Sequence, residues 1–180
     1  MADGLRDDGE RLAWLRQAYY GVDGRWYLKV RDRWGPEAAQ EVDEAAMASL
    51  GRLHLRAWLE LTGRQHVDDC RVLGRFVLDV LDTLYGSAAD AVRVVRDEPD
   101  VWEMAHVRCT IFDMGAAAGF TPVPGALPGC GGILALYGGW VAAAGPAFSV
   151  DQVPAPGGDH GVACRYAFRL NPGPARPPRG

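Results

Sequence analysis

The chain has 180 residues, 48% of them apolar, and a formal charge of −4 at neutral pH. That supplies enough apolar side chain for one sizeable core, so a single domain is expected. The 19 basic side chains are interleaved with acids and form no concentrated cationic surface, which argues against nucleic acid and anionic membrane as partners.

Met1 to Glu10 is acidic and polar, and no uncharged run is long enough to span a bilayer, so the chain is expected in the cytoplasm. In that reducing compartment Cys70, Cys109, Cys130 and Cys164 are expected to be thiols serving as core residues, ligands or nucleophiles, not disulfides.

In chain order, Leu12, Leu15 and Tyr19 recur at helical spacing over Asp8 to Tyr20, and Gly21 offers an exit. A second short helix is predicted over Gly24 to Trp34, closed by Gly35-Pro36. From Pro36 to Leu61 the stripe Val42, Ala46, Leu50, Leu53 and Ala57 predicts a long helix, with Glu37, Glu41 and Glu44 near its positive end. His66 to Tyr85 repeats the pattern through Cys70, Leu73, Val77, Val80, Leu81 and Leu84.

The pattern then changes. Ala91 to Val95 and Val101 to Phe112 are rich in β-branched and aromatic residues, and Asp97-Glu98-Pro99-Asp100 between them makes a natural turn. Gly115 to Gly129 reads as loop, and Gly131 to Ala144 as an apolar helix. Phe148 to Val153 and Gly161 to Leu170 read as a second strand pair, joined by a Gly- and Pro-rich turn carrying Asp159-His160. In the last strand Val162, Cys164, Tyr166, Phe168 and Leu170 share a buried face, and Ala163, Arg165, Ala167 and Arg169 a wetter one. The tail from 171 to 180 is Pro-, Gly- and Arg-rich and is expected to be disordered.

The expected fold is therefore α+β. A helical layer of about four helices (8–86) covers one side of an antiparallel sheet of about four strands (90–170) that carries one inserted helix. The crevice between helices and sheet is the expected pocket.

Cys130 sits in a Gly-flanked turn at a helix start, where free backbone N–H groups favour a thiolate. Cys109 ends a strand, and Cys164 lies on a buried strand face. Each also fits a small core residue, and for Cys70, on the apolar stripe of its helix, the core reading is the favoured one. Asp159-His160 suits a proton-moving pair as well as an exposed turn. Three thiolates with His160 make a legitimate zinc set, but no C-x-x-C pair exists and the ligands are scattered from Cys109 to Cys164, so no metal is expected. The glycines from Gly129 to Gly139 form neither a phosphate loop nor a dinucleotide fingerprint, so no cofactor is expected.

Two stretches resemble a known family. One is Val22-Asp23-Gly24-Arg25-Trp26-Tyr27-Leu28-Lys29-Val30, continuing through Ala38-Ala39 and Glu41-Val42-Asp43 to Gly51-Arg52-Leu53. The other comprises Val107-Arg108-Cys109, Gly129-Cys130, Gly157-Gly158-Asp159-His160 and Cys164-Arg165-Tyr166-Ala167-Phe168. Together they are similar to bacterial L-2-amino-thiazoline-4-carboxylic acid hydrolases and related small cytosolic proteins. The pattern departs from that family at Thr110 and at Gly131-Gly132-Ile133-Leu134, where the family carries Pro and polar residues.

The resemblance implies an enzyme acting on a small thiazoline-like or cyclic amidine acid. Cys109, Cys130 or Cys164 would supply a thiolate, Asp159 or His160 would move protons, and Arg108 or Arg165 would hold a carboxylate. Trp26, Tyr27 and Tyr137 are candidates for the pocket wall. A cyclase or rearrangement enzyme of specialised metabolism on the same scaffold, or a non-catalytic binder of a small apolar ligand, are the alternatives. Six Trp in one small domain leave room for an exposed interface residue and a homodimer.

Overall fold

The computed structural model describes residues 7–86, 91–107, 130–153 and 164–171. Helix α1 spans Asp8–Trp34, α2 Pro36–Thr62 and α3 Cys70–Tyr85. Strands β1 (Val92–Asp97) and β2 (Val101–His106) follow, then helix α4 (Cys130–Ala144) and strands β3 (Phe148–Val153) and β4 (Cys164–Leu170). The fold is α+β, with the helices mostly N-terminal and a four-stranded antiparallel sheet in the order β1-β2-β4-β3.

The expected first and second helices are one. Gly21 and Gly24 do not break α1, because each costs only about 1 kcal/mol in a helix interior and the helix continues for several turns on either side. Asp7 caps its start, its carboxylate accepting from Glu10 N at 2.8 Å. The chain turns only at Gly35, whose φ of 94° is open to glycine, and Pro36 opens α2. Helix α3 begins at Cys70 and not at His66, because Asp69 is its cap and accepts from Val72 N at 2.8 Å.

Helices α3 and α4 lie on one face of the sheet, α2 packs along α4, and α1 packs chiefly on α2. The core between sheet and helices holds Leu73, Phe76 and Val77 of α3, Tyr137 and Trp140 of α4, and Trp102, Met104, Tyr166 and Phe168 of the strands. The expected crevice there is filled by interlocking rings. Tyr137 stacks on Trp140 at 4.7 Å and meets Tyr166 edge-on at 4.9 Å, and Trp140 meets Phe76 edge-on at 5.2 Å.

Two faces differ from expectation. On β4, Cys164, Tyr166, Phe168 and Leu170 do join the core side, but Ala167 on the opposite face is fully buried too. On α2, the stripe Val42, Ala46 and Leu53 is exposed. The buried row is Ala39, Asp43, Gly51 and Leu55, and the missing side chain at Gly51 lets α4 approach closely. A Cβ on Gly51 would run into the Leu136 carbonyl, and one on Gly139 into the Ala48 carbonyl.

Candidate functional site

The β2–β4 register sets His106 directly opposite Cys164, with Met104 opposite Tyr166 one step inward. Because side chains alternate along a strand, His106 follows Trp102 and Met104 onto the core side. There its Nε2 lies 3.1 Å from the Tyr137 hydroxyl, and its ring meets Tyr166 edge-on at 5.8 Å. Burial pushes the His106 pKa down to about 4, so the imidazole is neutral at physiological pH. A neutral ring donates through one nitrogen and accepts through the other, and Tyr137 can complement either tautomer. Cys164, half-buried, packs against the same core.

Helix α4 joins this cluster to a second one on its other flank. Its first turn, Cys130-Gly131-Gly132, sits directly on α2. A Cβ on Gly132 would strike the Asp43 carboxylate, and one on Gly131 would strike the Gln40 amide and the Glu44 carboxylate. Gln40 donates to Glu44 at 2.7 Å, and Asp43 is buried. Tyr27 belongs to this flank, its phenol pushed up by burial and then by the charge of Asp43. Carboxylates therefore already meet the positive end of the α4 dipole. That weakens the dipole as a reason for thiolate character at Cys130, which heads the turn.

Helix α4 runs straight into β3, and β3 pairs antiparallel with β4 so that Val153 ends beside Arg165. The start of α4 and the start of β4 thus lie at the same end of the molecule. The end of β2 lies there too, since His106 faces Cys164. Of the sequence-predicted site residues, Tyr137 and Cys164 meet around His106, and Tyr27 and the Cys130 turn meet around Asp43. Arg108, Cys109, Asp159 and His160 lie outside the described residues, as does the side chain of Cys130.

Two predicted residues stand apart. Trp26 lines an apolar groove of about 310 Å³ between α1 and α2, with Tyr19, Val22, Ala46, Met47 and Leu50. Arg165 points to the sheet face opposite Cys164, where it pairs with the buried Glu103, and Arg169 approaches the same carboxylate at 4.0 Å. Cys70 is fully buried, and its thiol is pushed up to about 11 by burial, as a core residue requires. Among the described residues no three His, Cys, Asp or Glu side chains gather to hold a metal, and no helix is long and apolar enough to cross a membrane.

His106 and Asp43 are the two site residues that the sequence reading did not single out. Both carry a legible signal. His106 is in phase with Trp102 and Met104 along a strand, and Asp43 falls in the row Ala39, Asp43, Met47, Gly51 and Leu55, spaced four apart. A polar residue in phase with a buried face needs a partner, and that need marks it.

Comparison of the chain with family models, with curated proteins and with solved structures returns no match.

Proposed function

We propose that the protein is a small-molecule enzyme in which a cysteine thiolate attacks a cyclic amidine or thiazoline-like acid at the end of the sheet near His106. The observation that carries this reading is the His106–Tyr137 hydrogen bond beside Cys164. A desolvated imidazole–phenol pair held by aromatic walls is a costly arrangement to keep beside a thiol unless it orients something. The family resemblance points to the same cysteines.

In the proposed reaction the thiolate forms a C–S bond to the C=N carbon, and the π pair moves to nitrogen, which takes a proton. The tetrahedral adduct expels a ring heteroatom, and the ring opens. Water then adds to the same carbon and displaces the cysteine thiolate, so that one water is consumed overall. With a pKa near 4, His106 serves as a hydrogen-bond anchor for Tyr137 and not as the base. Asp159 or His160 is assigned the proton transfers. Arg165 is engaged by Glu103 on the other face, so holding the substrate carboxylate falls to Arg108.

The test is turnover of a thiazoline carboxylate by the wild-type chain and by single Cys→Ser variants at 109, 130 and 164, with folding followed by circular dichroism. The reading expects one folded variant to lose turnover and an intact-mass adduct to form on that cysteine in the wild type. Turnover unchanged in all three variants, or no turnover and no adduct with any small heterocyclic acid, would overturn it.

A further inference from the structure

The fold leaves much of two apolar stripes at the surface, with Tyr19, Trp26 and Leu50 half-buried in the groove between them. On α1, Leu12, Leu15, Tyr19, Val22 and Trp26 alternate three and four apart, the spacing of a coiled-coil seam. On α2 the stripe runs Val42, Ala46, Leu50, Leu53, Ala57 and Leu61. Leu15 is 55% exposed, Val22 70% and Leu53 61%. The stripes meet in the groove between the helices, so the α1–α2 hairpin presents one continuous apolar face. The opposite side of α2 is committed to α4 through its small-residue row.

We propose that this face is the interface with a second copy of the same chain, the two α1 helices crossing antiparallel about Tyr19 to form a four-helix bundle. Charge selects this occupant. Helix α1 is net acidic at its start, with Asp7, Asp8 and Glu10 against Arg11, and net basic toward its end, with Arg25, Lys29, Arg31 and Arg33 against Asp23 and Asp32. An antiparallel crossing sets each acidic end on the other copy's basic end, whereas a parallel one sets like on like. The seam is self-complementary about Tyr19, with Leu12 opposite Trp26 of the second copy and Leu15 opposite its Val22, as a two-fold interface requires.

Size agrees. A helix of 27 residues is about 40 Å long. Two such helices side by side present a face on the order of 800 Å², about what each partner of a stable dimer buries.

Sedimentation of the full chain at micromolar concentration tests this. The expected mass is that of two chains, falling to one in the Leu15→Glu/Val22→Glu variant with an unchanged circular dichroism spectrum. Asp8→Lys weakens the dimer at least tenfold, and adding Lys29→Asp in the same chain restores it. Independently of those variants, Tyr19→Cys forms a cross-link between copies under mild oxidation beyond any seen in the wild type, and Trp14→Cys, on another flank, does not. A wild-type chain of single mass, or a dimer indifferent to the glutamates and without the Tyr19→Cys cross-link, overturns the proposal. So does a monomer that retains a small apolar molecule in the groove.

Discussion

His106 ends its strand in step with Trp102 and Met104, so it enters a site that cannot solvate its charged form. Its folded pKa is about 4, against 6.5 ordinarily. Between those values the unfolded chain binds more protons, so the contribution of His106 to stability is complete above pH 6.5 and is lost as pH falls toward 4. His54, also pushed down by burial, acts in the same direction. Urea denaturation across this window is expected to lose up to about 3 kcal/mol of its pH dependence in His106→Gln, which cannot titrate. Equal slopes in the two proteins would contradict the assignment. Tyr137→Phe removes the hydroxyl that complements the ring and strands a buried polar nitrogen, with an expected cost of about 1–3 kcal/mol in the same measurement. At this scale the sequence pointed to Tyr137 and Cys164 by type and position. It passed over His106, because the pairing that turns a strand-end histidine toward α4 joins residues 31 apart.

Among elements, the α2–α4 crossing is the most constrained, and neighbouring glycines give it an internal control. Gly139→Ala drives a Cβ into the Ala48 carbonyl, and an expected loss of about 1–3 kcal/mol outweighs the better helix propensity of Ala. Gly138 has nothing within 4 Å of such a Cβ, so Gly138→Ala is expected to gain up to about 1 kcal/mol. Thermal melts of the two single variants moving the same way would contradict the close crossing. By propensity alone glycine weakens a helix, but at position 139 it is the condition for packing. The same blindness to partners explains α1 and α2. Periodicity located both helices, but it could not say that α2 turns Ala39, Gly51 and Leu55 to the core and Val42, Leu53 and Leu61 outward, because a helix's neighbours are not written in its own period. The break expected at Gly21 fails for a related reason, since an isolated glycine costs a helix too little to end it.

For the molecule as a whole, the layering of three N-terminal helices and α4 against an antiparallel sheet was legible from the switch in period after Tyr85 and from the turn at Asp97-Glu98-Pro99-Asp100. The strand order was not, since inserting β4 between β2 and β3 depends on long-range pairing. That order is what brings His106 to Cys164, so the arrangement of the candidate site emerges only at this scale. It also sets Cys70 apart from Cys130 and Cys164. Cys70 is sealed, with its thiol raised to about 11, while Cys130 and Cys164 open the two elements that begin at the His106 end. The most direct test of the proposed reaction centre is a mass-spectrometric map of native thiol reactivity at neutral pH with limiting alkylator, run on the wild type and on Tyr137→Phe. One fast cysteine among 109, 130 and 164, slowed in Tyr137→Phe, and a silent Cys70 are expected. Three cysteines as slow as Cys70, or a fast one indifferent to the loss of the Tyr137 hydroxyl, would contradict it.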